Sequence, residues 1–206
     1  LALSLAVPAL GAQTAVSEDE AAQAVIALGI MTGDASGDLD LSGQVTRAEF
    51  VTMAVKASPS GGQIGQAAPY PDVPRDHWAS GYVEAAVSLG LVSGYSDGTF
   101  RPDQPMGWAE GVSLVLALLG YGPEDFSGAY PTGQLALAHS LGLDQGVSAR
   151  SAADVLTRRD AMYLFYNLLS APDADGTPYI QRLGHTLDAS GKVDLLELAN
   201  GALEGP

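Results

Sequence analysis

The sequence predicts an all-α fold made of three helix–loop–helix repeats that share one core. Three amphipathic segments each end in a leucine, a glycine and a further apolar residue, and the glycines are Gly29, Gly90 and Gly142. A second amphipathic segment follows each glycine, and these segments begin at Thr46, Gly107 and Thr157. Since one copy has too little apolar surface to be stable by itself, the three copies are expected to pack together.

The first helix of each copy is predicted from the spacing of its apolar residues. When the glycines are aligned, a leucine precedes each one and a small or apolar residue stands four positions before that leucine. The pairs are Leu28 with Ala24, Leu89 with Ala85, and Leu141 with Leu137. This spacing places one apolar stripe on each helix. A glycine directly after the stripe is typical of a helix C-terminus.

The second helix of each copy is predicted from its capping residues. Thr46 and Glu49 form the pattern T-x-x-E of a capping box, Thr157 and Asp160 form a weaker version, and Gly107 is a tolerable N-cap. One face of each helix is apolar and is expected to be buried. Its residues are Val51 and Ala54, Val112 and Val115, and Met162 and Phe165.

The repeats divide the chain into segments, which are copy one at 16–59, copy two at 70–122 and copy three at 128–171. A linker rich in Gly, Ser and Pro joins the first two copies. Residues 1–15 are typical of the later part of a secretory signal peptide and predict a secreted protein, with a buried apolar helix as the alternative. Residues 172–206 match no repeat and are predicted to be a C-terminal extension that could begin a further domain.

The charge of the chain limits its ligands. Nine Lys and Arg against 24 Asp and Glu give a net charge of −15, which disfavours nucleic acid as a partner. An acidic ligand would need a local cationic pocket. The three histidines are scattered, the chain has no cysteine, and no phosphate-binding glycine loop follows a strand. We therefore expect neither an enzyme nor a cofactor.

Copy two carries a recognisable pattern. The stretch "YPDVPRDHWASGYVEAAVSLGLVSGYSDGTFRPDQPMGWAE", residues 70–110, strongly resembles the S-layer homology (SLH) module. Copy one keeps Gly33 and the T-R-A-E at 46–49, whereas copy three keeps its helices and T-R-R-D at 157–160. The resemblance covers about residues 16–171. It implies a tandem triplet folded with pseudo-threefold symmetry, as a monomer with an internal pseudo-trimer.

The resemblance also implies a function. Domains of this family anchor exported proteins non-covalently to secondary cell-wall polysaccharide, often through ketal-linked pyruvate on the sugar. This implies a location at the cell wall or cell surface and no membrane insertion of the mature form. In the family, the arginine of T-R-A-E contacts the anion in grooves between repeats. Arg47 and Arg158 match that role, whereas copy two has Trp108 there.

The chemistry of the residues agrees with an anion site. Arg47 is expected at the first position of a helix, where free N–H groups and the helix dipole favour an anion and where its guanidinium can grip a carboxylate. The alternative is a solvated helix-start charge. The other candidates are helix-start residues and residues that could contact a sugar: Thr46, Glu49, Glu110, Trp78, Tyr95 and Asp97. Trp78 also fits a core position on its helix, and Asp97 fits a turn.

Residues 38–49, "DLDLSGQVTRAE", also fit the pattern of a calcium-binding EF-hand loop. However, the preceding helix is predicted to end near Gly29, whereas an EF-hand helix runs directly into its first ligand. The stretch also aligns without a gap with residues 99–110, which lack the calcium ligands. An anion-binding helix start is therefore predicted here. A calcium module and a degenerate triplet with a spacer or assembly role remain the alternatives.

Overall fold

The computed structural model describes residues 16–60, 63–149 and 151–203, and within them the all-α prediction is confirmed. The described α-helices are α1 Glu18–Ala27, α2 Arg47–Lys56, α3 Ser80–Ser88, α4 Trp108–Leu118, α5 Thr132–Ser140, α6 Arg158–Ser170 and α7 Leu195–Leu203. Short 3-10 helices lie at Pro123–Asp125 and Tyr179–Leu183. The predicted signal peptide at 1–15 lies outside the described residues.

The glycines end the first helices as predicted. Gly29, Gly90 and Gly142 follow α1, α3 and α5 and have φ angles of 66°, 71° and 73°. Such angles lie in the left-handed region, which favours glycine. The apolar stripe of these helices is only partly buried, since Leu89 is 46% exposed. The stripe therefore lies at the edge of the core.

The second helices begin at the predicted capping residues. Thr46 Oγ1 accepts a hydrogen bond from the N–H of Glu49, whose carboxylate accepts one from the N–H of Thr46. Thr157 and Asp160 form the same pair of bonds, so this capping box is as complete as the first. Gly107 caps α4 without a side chain. All the residues predicted on the apolar faces are fully buried: Val51, Ala54, Val112, Val115, Met162 and Phe165.

A ring of backbone hydrogen bonds joins the three repeats. The N–H of Val45 donates to the carbonyl of Leu156 at 3.0 Å, Leu156 donates to Met106 at 2.8 Å, and Met106 donates back to Val45 at 2.9 Å. Each residue directly precedes the N-cap of the second helix in its repeat. The equivalent bonds give the domain the pseudo-threefold axis that the resemblance implied.

Each second helix begins against the loop of a neighbouring repeat. This contact pairs the N–H groups that were expected to be free. The N–H groups of Arg47 and Ala48 donate to the carbonyls of Gln104 and Pro102. The first two N–H groups of α4 donate in the same way to Asp154 and Ala152, and those of α6 to Gly43 and Leu41. The expected free N–H groups at the start of α2 are therefore already paired. Any anion site here must rely on side chains.

Residues after 171 pack against the repeats. Tyr179 and Ile180 are fully buried and belong to the same apolar core as the repeat helices. The Tyr179 hydroxyl donates to the carbonyl of Ala57 at 3.0 Å, at the end of α2. Helix α7 contacts α1, and Lys192 Nζ lies 3.4 Å from a carboxylate oxygen of Glu20. Whether a further domain begins in this segment stays a prediction.

The buried carboxylate of Asp160 predicts how stability depends on pH. Burial favours its neutral form, but hydrogen bonds from Ser148 and Thr157 outweigh this and lower the pKa of Asp160. A lowered folded-state pKa gives stability that is present above the unfolded value, about 3.9, and is lost as pH falls through the folded value. We expect Asp160→Asn to lower the free energy of unfolding at pH 7 by ~1.5–3 kcal/mol.

Urea unfolding at pH 7 and pH 3 checks this prediction. The wild type should lose more stability between the two pH values than Asp160→Asn does. Asp103→Asn changes an exposed carboxylate and is the matched control. Equal losses in wild type and Asp160→Asn would contradict the assignment.

Candidate functional site

Arg47 lies in a groove between the first and second repeats. Its Nε donates to the carbonyl of Phe100 at 3.0 Å and its Nη2 to the carbonyl of Ser93 at 2.8 Å. The guanidinium carbon lies 4.7 Å from the ring centroid of Phe100 and 5.2 Å from that of Tyr95. Arg47 is only 7% exposed. The second repeat therefore fixes this guanidinium in place, and the alternative of a freely solvated charge is wrong.

The groove beside this arginine, here called the Arg47 groove, has a volume of about 270 Å³. Arg47 Nη1 lies 3.6 Å from Glu110 Oε1, so a carboxylate partly neutralises the cation. The Tyr95 hydroxyl donates to the same oxygen at 3.2 Å and accepts from the Gln104 side chain at 3.0 Å. The groove thus combines one held cation with hydrogen-bonding groups.

A second groove has the same construction around Arg158, between the third and first repeats. Arg158 Nε donates to the carbonyl of Leu39 at 2.6 Å and Nη2 to that of Thr32 at 3.2 Å. Leu39 and Thr32 occupy in repeat one the positions of Phe100 and Ser93 in repeat two. This Arg158 groove has a volume of about 210 Å³ and is also lined by Glu49. Residues 157–160 therefore form the same capping box and the same arginine contacts as T-R-A-E in copy one.

Each of these grooves has an exposed aromatic ring at its rim. Trp78 lines the Arg158 groove and Tyr130 lines the Arg47 groove, and both are 59% exposed. A core position for Trp78 is therefore wrong. Partial desolvation and the nearby Glu110 carboxylate raise the pKa of Tyr130, and its hydroxyl is a donor at neutral pH. Tyr130 was missed from the sequence, although it precedes Gly142 by as many residues as Trp78 precedes Gly90.

The third groove is built differently. Trp108 stands where the other repeats have an arginine and is 5% exposed, and Ser17 stands where they have the rim ring. This Trp108 groove, of about 510 Å³, is lined by Leu135, His139, Asp144, Val147 and Ser148, among others. Of the three grooves between repeats in the described part of the chain, two carry a groove arginine with a rim ring.

Comparison with known proteins identifies two of the repeats. Residues 14–51 and 69–106 match the family model described as the S-layer homology domain. Two segments of the chain are S-layer homology repeats. The family match does not extend to the third repeat, which shares the same helical architecture and the hydrogen-bonded ring.

The relatives that the chain resembles are named as cell-wall, surface-layer and anchoring proteins. The chain is 30% identical over 146 residues to the middle cell wall protein of Brevibacillus brevis, and 30% over 158 residues to the surface layer protein of Brevibacillus choshinensis. It is 39% identical over 82 residues to a cellulosome-anchoring protein of Acetivibrio thermocellus. These matches cover 69%, 72% and 38% of the chain but only 14%, 14% and 18% of the relatives. The predicted location at the cell surface is confirmed.

The predicted site residues are divided unevenly between the grooves and the rest of the domain. Arg47, Tyr95 and Glu110 meet in one groove, and Arg158, Glu49 and Trp78 meet in the other. Thr46 and Asp97 do not line either groove. Thr46 caps α2. Asp97 accepts bonds from the N–H and hydroxyl of Thr99, which with the Arg101 guanidinium lower its pKa. Asp97 therefore acts in the turn of its SLH loop.

The calcium alternative finds little support in this SLH loop. Helix α1 ends at Ala27, so no helix enters at Asp38. The Asp38 carboxylate accepts the N–H of Asp40 at 2.9 Å, and the Glu49 carboxylate is used in the capping box. Asp40 and its counterpart Arg101 both have positive φ, 47° and 60°, so the loops of copies one and two share one shape. Across the described residues, no cluster of three or more acidic or histidine side chains is arranged for a metal.

Among the helices that the structure describes, none is both long and apolar enough to cross a membrane.

The buried Trp108 predicts the effect of restoring the family arginine. Trp108→Arg should lower the free energy of unfolding by about 3 kcal/mol, because a packed aromatic ring is lost. We expect no added glycan binding, because this groove lacks a rim ring. A Cβ added at Gly111 in α4 would lie 2.8 Å from a side-chain atom of Leu156 and 3.1 Å from one of Phe50. Those two side chains, not the indole, fill that space.

Thermal melting and calorimetric stoichiometry test this variant. Trp78→Ala, which removes an exposed indole, is the control and should melt near the wild type. Unchanged melting of Trp108→Arg would contradict the packing role, and a gained binding site would show that an arginine alone completes a groove.

Proposed function

We propose that this chain anchors its parent protein non-covalently to the bacterial cell wall by binding an acidic secondary cell-wall polysaccharide that carries ketal-linked pyruvate. One observation carries the proposal. Two grooves hold an arginine in the same pair of carbonyl contacts, each beside an exposed aromatic ring, although the chain has a net charge of −15.

The chemistry of the two grooves suits an acidic sugar. A guanidinium that is already oriented by two carbonyls loses little freedom on binding, and it offers its remaining N–H groups to a carboxylate. The exposed rings of Trp78 and Tyr130 offer flat apolar faces to a sugar ring. Tyr95 and Glu110 provide hydroxyl and carboxylate partners for sugar hydroxyls. The bulk acidic surface weakens non-specific attraction of other polyanions.

The family and the relatives' names support anchoring rather than catalysis. The relatives include a middle cell wall protein and a cellulosome-anchoring protein. We therefore propose a non-enzymatic role for the SLH repeats. Because the chain spans 14–18% of these relatives, the activity of the parent protein is a separate matter.

A spacer or assembly role is the second candidate, and the Trp108 groove favours it. That groove has lost both the arginine and the rim ring, as expected where binding is no longer required. The two intact grooves favour binding instead. A pure spacer would not retain wall polysaccharide, so the two functions make opposite predictions for the same experiment.

Co-sedimentation with purified wall sacculi tests the proposal. The chain should sediment with native sacculi and should remain in solution when mild acid has first removed the ketal-linked pyruvate. Sacculi whose polysaccharide has been removed completely are the negative control. Equal sedimentation before and after the mild acid treatment would contradict recognition of pyruvate. No sedimentation with native sacculi would favour the spacer.

A further inference from the structure

The Arg158 groove contains a second cation that the Arg47 groove lacks. Lys56, the last residue of α2, lines the Arg158 groove. The equivalent position of α4, as far beyond Gly107 as Lys56 is beyond Thr46, is Ala117. Lys56 Nζ lies 5.9 Å from the ring centroid of Tyr82 and forms no ion pair with any residue described in the structure. No carboxylate of the described residues therefore neutralises its charge.

The same groove contains a buried hydroxyl without a partner. Thr52 is 8% exposed, lines the Arg158 groove, and its Oγ1 makes no hydrogen bond with the described residues. Its counterpart Ser113 lines the Arg47 groove but donates to the carbonyl of Ala109 at 2.8 Å. A buried hydroxyl left unpaired is destabilising, and a polar ligand atom would satisfy it once the Thr52 side chain rotates toward the groove.

The charges of the two grooves also differ. In the Arg47 groove, Glu110 lies 3.6 Å from the guanidinium and offsets its charge. In the Arg158 groove, Glu49 lies more than 4.0 Å from Arg158, which forms no ion pair within the described part of the chain, and Lys56 adds a second positive charge. The Arg158 groove therefore has an excess of one positive charge, while the Arg47 groove is balanced.

We infer that the two grooves differ in specificity, and that the Arg158 groove takes a saccharide with two acidic groups. One carboxylate meets Arg158, the second meets Lys56, and a hydroxyl or amide of the sugar pairs with Thr52. The Arg47 groove takes a single acidic group. This inference rests on the proposed binding of acidic wall polysaccharide and names Lys56 and Thr52 as its specificity-determining residues.

Two synthetic probes test the inference by calorimetry. The first is a methyl glycoside of pyruvylated hexosamine, with one acidic group, and the second is the same sugar linked to a uronic acid, with two. An Arg47→Ala background isolates the Arg158 groove, and Arg158→Ala isolates the Arg47 groove. The Arg158 groove should bind the second probe about fivefold more tightly than the first, as expected for a solvent-accessible charge pair. The Arg47 groove should bind both equally.

Substitutions at the two equivalent positions should remove the preference for the doubly acidic probe from one groove and create it in the other. Lys56→Met should abolish the preference for the doubly acidic probe, because it removes the second cation while Arg158 remains. Ala117→Lys should create the preference in the Arg47 groove. Thr52→Val keeps the shape of the side chain and should weaken both probes in the Arg158 groove only. Melting curves identify any variant that fails to fold, and Lys56→Arg, which keeps the charge, should keep the preference.

The outcomes separate this inference from the proposed function. If the singly acidic probe binds both grooves but the doubly acidic probe is not preferred, or if Lys56→Met keeps the preference, then the inference is overturned and the proposed function stands. If neither probe binds the wild-type chain, both fail.

Discussion

A chain carrying both Arg47→Ala and Arg158→Ala is expected to lose its retention by wall sacculi. Each substitution removes a charge-assisted hydrogen-bonding group, worth ~1.5–3 kcal/mol, so affinity in each groove should fall roughly 10- to 150-fold. The single variants should each keep one functional groove. The loss in the double variant should therefore exceed that in either single variant, because simultaneous binding at two grooves strengthens retention on a polymer.

A neighbouring arginine supplies the matched control. Arg159 follows Arg158 in α6, but it is exposed, lies outside both grooves and pairs with Glu18 at 2.6 Å. Arg159→Ala removes the same charge and should leave retention unchanged. Arg47→Lys separates charge from geometry: it should bind weakly, because the amine cannot reproduce the guanidinium fork. Full retention of a folded double variant would contradict the assignment of the grooves.

Replacement of Tyr179 by alanine is expected to give the largest loss of stability. The ring is fully buried in the core shared with the repeats, and its hydroxyl holds the end of α2 through Ala57. Removing a buried aromatic side chain costs ~3–5 kcal/mol. For a domain of this size, that loss corresponds to a melting temperature lower by roughly 6–20 °C.

Two further substitutions separate the hydrogen bond of Tyr179 from its ring and provide a control in the same segment. Tyr179→Phe removes only the hydrogen bond and should cost ~0.5–1.5 kcal/mol. Leu196→Ala truncates a side chain of the same C-terminal segment that is 78% exposed, and it should change stability little. A Tyr179→Ala variant that melts with the wild type would show that residues after 171 do not stabilise the repeats.

The parts of the fold that sequence could predict are those with local causes. The helix ends follow from Gly29, Gly90 and Gly142, because glycine tolerates the left-handed backbone that ends a helix. The second helices follow from capping residues such as Thr46 and Thr157, whose bonds span only three residues. The buried faces follow from helical periodicity, as Val51 and Phe165 show.

The site depended on contacts between repeats, which local patterns do not specify. The N–H groups of Arg47 and Ala48 donate to carbonyls of a loop that lies more than fifty residues later in the chain. They are therefore not free to bind an anion, although the sequence predicts that they are. Trp78 precedes α3 and does not lie on the apolar stripe of that helix. It lines a groove because residues of the other repeats form the rest of that groove. The motif around Arg158 is changed to T-R-R-D, a pattern that predicts a weaker capping box than T-R-A-E. The changed positions, Arg159 and Asp160, nevertheless keep its contacts intact.

We expect the two grooves that have an arginine and a rim ring to bind the acidic group, and the third groove not to bind it. Calorimetric titration of the folded chain with a short pyruvylated oligosaccharide of the wall polymer tests it most directly. The wild type should show two sites, Arg47→Ala and Arg158→Ala one each, and the double variant none. Three sites in the wild type, or an unchanged number in the folded double variant, would contradict it.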